Sequence, residues 1–167
     1  MGIRGLNHAV LYVRDAEVSA AFYVDVLGFR RTHTLPGAVF LLAPDSSNDH
    51  DLGVFGVGEG AAESPAGRGA VGLYHLSWEI DTLGTLAEYH DRLVAAGALV
   101  GASDHGTTKA LYAKDPDGLE FELSWIVPHH LLTGAEQLTT RPLDLAAEIA
   151  RYGPETPSRA RGDAVPS

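Results

Sequence analysis

The chain has 167 residues, no cysteine and a formal net charge of −10. That charge argues against nucleic acid and anionic membrane as partners, because both demand a basic patch. The missing cysteine rules out disulfides, thiolate nucleophiles and sulfur-ligated metals, so any cation must rest on nitrogen and oxygen donors, and 8 histidines are available.

Leu6 to Val13 alternates as a strand and stops at Arg14-Asp15. Asp15 suits the N-cap of a helix whose apolar stripe runs through Val18, Phe22, Val26 and Leu27, closed by Gly28. Short strand-like runs follow at Arg30–Leu35, Val39–Leu42 and Leu52–Val57, separated by Pro36-Gly37 and by a turn from Pro44 to Asn48. A Gly-, Ala- and Ser-rich stretch, Gly58 to Gly69, reads as a linker loop.

The same order then repeats. Val71 to Ile80 is a strand, and Asp81-Thr82 starts a helix with Leu83, Leu86, Tyr89, Leu93 and Val94 on its apolar side. Strands are expected at Leu99–Ser103, Ala110–Ala113 and Leu119–Ile126, with an Asp-Pro-Asp-Gly turn at Asp115–Gly118. His8 and His75 fall at matching points of the two first strands. A duplicated βαβββ unit is the simplest reading, giving one α+β domain over residues 1–128, with modules at about 3–58 and 70–127. Beyond Pro128 come His129-His130, a short helix from about Pro142 to Tyr152, and a polar tail, 153–167, expected to be disordered and without chemistry. No run approaches the roughly 18 apolar residues of a membrane span. The first residues lack the apolar core of a secretory signal, so the expected location is cytoplasmic.

Alternation decides which side chains share a face. Tyr74, Leu76, Trp78 and Ile80 form one apolar face; His75 lies opposite with Leu73, Ser77 and Glu79. Phe121, Leu123 and Trp125 form another, leaving Glu120, Glu122 and Ser124 opposite, while His8 shares its face with Leu6, Val10 and Tyr12. These polar faces could hold a metal or simply meet solvent. Periodicity does not separate Glu122 from Glu120.

Taken in order, LNHAVLYV, AAFYVDVLGF, GLYHLSWEI and ALYAKDPDGLEFEL resemble the vicinal oxygen chelate superfamily of glyoxalases, bleomycin-resistance proteins and extradiol dioxygenases, across roughly residues 3–127. The stretch from Gly72 to Gly118, and TTRPLDLAAEI in the tail, are most similar to catechol 2,3-dioxygenases. The resemblance implies two modules forming a curved half-barrel around a metal cavity. It assigns His8, His75 and Glu122 as metal ligands, with Glu120 a neighbour. Two imidazoles and one carboxylate suit Fe(II), with Mn, Ni or Zn as alternatives. It also implies Tyr112 as a hydrogen-bonding group for a substrate oxygen and His105 as an acid/base, work for which an imidazole is suited because it titrates near neutral pH.

The implied activity is ring-cleaving dioxygenation of a catechol or related vicinal diol with O2. A glyoxalase-like lyase or isomerase, and a bleomycin-resistance-like binding protein, are the alternatives. The resemblance further implies a homo-oligomer. Two features depart from the ring-cleaving pattern. No histidine precedes His75 in GEGAAESPAGRGAVGLY, and the chain carries one paired unit where many such enzymes carry two.

Overall fold

The computed structural model describes residues 2–3, 5–66, 69–134, 136 and 139–159. The chain divides into two compact units, Met1–Pro65 with Asp115–Leu119, and Ala66–Lys114 with Glu120–Ser167.

Unit 1 runs β1 (Ala9–Val13), α1 (Ala16–Leu27), β2 (Arg30–Leu35), β3 (Ala38–Leu42) and β4 (Leu52–Gly56). Its sheet has the order β1-β4-β3-β2, with β1 and β4 parallel and the other pairs antiparallel. Unit 2 repeats this plan with β5 (Leu76–Glu79), α2 (Leu83–Ala95), β6 (Leu99–Asp104), β7 (Thr108–Lys114) and β8 (Glu120–Ile126). Its order is β5-β8-β7-β6, and again the first and last strands pair in parallel. The duplicated βαβββ plan and the α+β class are therefore both present. A two-residue strand, β9 (Arg141–Pro142), adds to the outer edge of β6 and leads into α3 (Leu145–Tyr152).

Local chemistry explains the helix ends. The Asp15 carboxylate accepts from the N–H groups of Glu17 and Val18, and Gly28 closes α1 with a φ of 76°. Thr82 Oγ1 accepts from Thr85 N at 3.1 Å to start α2.

The buried face of α1 differs from the expected stripe. Ala16, Ser19, Ala20, Tyr23 and Leu27 are buried, whereas Val18 is 55% exposed. The small residues let the helix axis approach β3 and β4, whose Val39, Leu41, Leu52 and Val54 are wholly buried. In unit 2, Leu83, Leu86 and Leu93 of α2 pack with Phe121, Leu123 and Trp125 of β8, as alternation requires. Burying each such side chain stabilises the fold by about 1.5–3 kcal/mol.

Two expected strands are shortened. Pairing begins at Ala9 with Leu52 in unit 1 and at Leu76 with Phe121 in unit 2. His8 and His75 thus each stand one residue before their ladder.

The expectation of disorder from residue 153 onward is corrected for 153–159. Thr156 O accepts from Trp125 Nε1 at 3.0 Å, Ser158 N donates to Asp81 O, and Arg159 N donates to Ile126 O at 2.9 Å. The segment satisfies polar groups that the end of β8 and the start of α2 would otherwise leave bare. Residues 160–167 lie outside the described residues, as do Gly67 and Arg68 of the expected linker. Among the described residues, no helix is long and apolar enough to cross a membrane.

Candidate active site

Unit 2 gathers four of the five expected site residues on one sheet face. Register places Ser77, Glu122, Tyr112 and Gly101 in a single row across β5, β8, β7 and β6. Glu122 lies on β8, an inner strand between β5 and β7, and is only 9% exposed. His75, just before β5, reaches the same face, and its Nε2 lies 3.0 Å from Glu122 Oε2. It is Glu122 rather than Glu120 that meets the imidazole.

Beside this pair, Tyr112 stands with its ring centroid 5.7 Å from that of His75. Its hydroxyl lies 2.9 Å from His105 Nε2. Burial, then the nearby Glu122 carboxylate, pushes the Tyr112 phenol up to about 12. Tyr112 is therefore a neutral O–H at physiological pH. His105 sits in the β6–β7 turn, where its N–H donates to Thr108 O at 2.9 Å. Its Nδ1 lies 2.9 Å from the carbonyl oxygen of Thr139.

The fifth residue, His8, belongs to unit 1. Its Nδ1 lies 2.7 Å from Asn7 Oδ1, and its ring is 4.6 Å from that of His50. Asn48 brings these segments together by donating to the carbonyls of Asn7 and His50. On the same unit's sheet, Val10, Tyr12, Phe40 and Phe55 share the face of His8. Gly53 leaves room there, since a Cβ would come within 3.0 Å of the Phe55 ring. Trp125, by contrast, is 0% exposed, as its place in the alternation requires.

Two further histidines are engaged elsewhere. His90 pairs with Asp91 at 3.1 Å on α2, and His129 Nε2 lies 3.2 Å from Arg159 Nη1.

Two donors bonded to one cation in neighbouring positions at about 2.1 Å lie roughly 3 Å apart. The His75–Glu122 separation fits that spacing. His75 Nδ1 is buried with no hydrogen-bond partner, so the contact is not a finished hydrogen-bonded network. Among the described residues, no group of three His, Asp or Glu is gathered as a metal centre. The structure thus supplies a donor pair that fits a divalent cation and leaves the third donor to be identified.

The match to the Glyoxalase/Bleomycin resistance protein/Dioxygenase superfamily spans residues 5–123. The chain belongs to this superfamily. It is 34% identical over 121 residues to biphenyl-2,3-diol 1,2-dioxygenase 3 of Rhodococcus globerulus, covering 71% of this chain and 61% of that protein. It is 26% identical over 164 residues to catechol-2,3-dioxygenase of Bacillus subtilis (strain 168), covering 96% of this chain and 56% of that protein. The chain thus spans less than two thirds of the length of either relative. Among solved structures, a glyoxylase/bleomycin resistance protein/dioxygenase domain from Frankia sp. EAN1pec superposes with a TM-score of 0.60 at 21% identity, covering 74% of this chain and 92% of that one.

Residue reasoning missed Lys109, Asp104 and the Thr139 carbonyl around His105. A lysine falling on the core face of β7 was a readable signal; a main-chain carbonyl distant in sequence carries none.

Proposed function

We propose that this protein is a metal-dependent extradiol-type dioxygenase that opens the ring of a catechol or related vicinal diol with O2. The observation that carries the reading is the pairing of two sets of groups on one face of unit 2. His75 and Glu122 lie within 3.0 Å, and the Tyr112–His105 hydrogen bond stands beside them. Relatives named as diol dioxygenases support it.

His75 and Glu122, with His8 as third donor, would hold Fe(II), with Mn(II) as a substitute. Such an ion supplies the Lewis acidity and redox capacity that ring cleavage by O2 needs. The chain's own groups do the rest. Tyr112, its phenol pushed up to about 12 and so neutral, hydrogen-bonds a substrate oxygen through its hydroxyl. His105 Nε2, in contact with that hydroxyl, takes a proton and returns it. Cytoplasmic location and assembly with a second copy belong to the same proposal.

The competing lyase or isomerase reading calls for a fourth protein ligand at the end of the first module. β4 contains no acid, and Asp51, just before it, already accepts from Ala43 N at 3.0 Å and Ser46 Oγ at 2.9 Å. That commitment favours three ligands.

The test is metal analysis of protein purified without added metal, followed by O2 uptake on adding catechol. Iron with uptake is the expected result. Nickel or zinc without uptake would favour the lyase, and absence of any metal would favour a binding protein.

A further inference from the structure

We propose that Lys109 is a positioning residue, through which the C-terminal strap of β9 and α3 holds His105 as a single tautomer facing Tyr112. The inference rests on the reading that His105 and Tyr112 move protons, but the geometry lies wholly within unit 2.

A carbonyl oxygen carries no hydrogen. The 2.9 Å contact between His105 Nδ1 and Thr139 O therefore requires a proton on Nδ1. In the neutral ring, Nε2 is then the bare acceptor, and it is Nε2 that meets the Tyr112 hydroxyl. The tautomer able to receive the phenol's proton is set at Nδ1 by the Thr139 carbonyl, 34 residues away and nearer than the Thr140 hydroxyl, which lies 3.3 Å from the same nitrogen and can accept from it as well.

What keeps that atom in place is a buried charge network on the opposite face of the sheet. Lys109 is only 1% exposed, on a strand position among core residues. Its ammonium donates to Asp104 Oδ1 at 2.5 Å, and Glu148 Oε2 of α3 stands 3.1 Å away as an ion pair outside hydrogen-bond geometry. The same Asp104 Oδ1 accepts from Gly106 N at 2.8 Å, closing the turn that carries His105. Asp104 also pairs with Arg141 in the β6–β9 ladder, two residues beyond Thr139. A buried cation with two carboxylates fixes geometry more than it adds stability. Here it ties strap and turn together on either side of His105.

The experiment uses the full, metal-free chain labelled with 15N, reading the ring nitrogens of His105 by long-range proton–nitrogen correlation. Wild type is expected to show a protonated Nδ1 and a bare Nε2. The variant D104N/K109M removes the cation together with its closest carboxylate, leaving Glu148, whose side chain is 15% exposed, as the remaining carboxylate. It should keep the wild-type circular dichroism and lose the single-tautomer signature, showing both ring forms. The variant E148Q, which keeps an oxygen facing Lys109, should retain it at least in part. A folded D104N/K109M protein with an unchanged His105 would overturn the proposal, as would a wild-type ring protonated on Nε2 alone. If the double variant fails to fold, R141A, changed at the ladder position beside Asp104, is read in its place. An unchanged tautomer there also counts against the proposal. Because no metal is present, failure of the dioxygenase reading leaves this measurement interpretable.

Discussion

Tyr112 and Glu122 face each other across the β7–β8 ladder, and the carboxylate that approaches His75 is one of the charges that keep the Tyr112 phenol protonated. One strand pair thus couples the proposed metal donor to the proposed proton donor.

Replacing either donor tests the metal assignment. His75→Ala and Glu122→Ala should each abolish stoichiometric iron, with affinity falling by more than the roughly 10–100-fold typical of outer partners. Circular dichroism should be unchanged. Metal analysis after dialysis decides the matter, and retained iron in His75→Ala would remove the assignment.

Tyr112→Phe should lower turnover by about 10²–10⁴-fold, the range associated with losing a positioned proton donor, while iron content stays the same. The wild-type phenol is pushed up to about 12, and burial also raises Tyr23 and Tyr152, so ultraviolet titration should show several late-ionising tyrosines, with one late step belonging to Tyr112. Loss of that late step in Tyr112→Phe identifies it.

Asp115 provides a pH prediction independent of the site. Its carboxyl is pushed up to about 6, first by burial and then by the Asp117 charge. A raised folded-state value means the folded protein holds the proton more tightly. This stability is fully present below the unfolded value, 3.8, and is lost as pH rises through about 6. The loss is at most about 3 kcal/mol. Asp115→Asn keeps an oxygen for the N–H groups of Asp117 and Leu119 that Asp115 Oδ1 accepts from. Urea unfolding of this variant between pH 4 and pH 6 should be flatter than wild type, and an identical slope would refute the claim.

Ending the chain at Tyr152 should destabilise it by about 1.5–4.5 kcal/mol relative to a chain ending at Arg159. That range counts only the bonds of Thr156 to Trp125, Ser158 N to Asp81 and Arg159 N to Ile126, each worth about 0.5–1.5 kcal/mol; further bonds from 153–159 to Leu83, Gly84 and Glu79 make it a lower bound. Thermal unfolding of the two lengths provides the comparison.

Much of this was legible in the residues. Helix caps at Asp15 and Thr82, the Asp115–Gly118 turn and the repeated element order follow from local chemistry, which acts over a few positions. Alternation placed Trp125 in the core and Glu122 on the opposite face. It could not choose between Glu120 and Glu122, because that depends on how far His75 reaches across the parallel pairing with β8. The buried face of α1 was misjudged because hydropathy favours Val18, whereas close helix–sheet approach favours Ala16, Ser19 and Ala20. The docking of 153–159 was hidden because most of its bonds are made by its main-chain atoms, which every sequence possesses.

His8 and His75 each sit a single residue ahead of the first paired position in their sheets. A change of side chain there disturbs no rung of either ladder. Under the ligand assignment proposed above, each half could therefore exchange one donor atom for another, and with it the ion it prefers, while its architecture stays as it is. Diversifying the chemistry of such a scaffold would ask little of its folding.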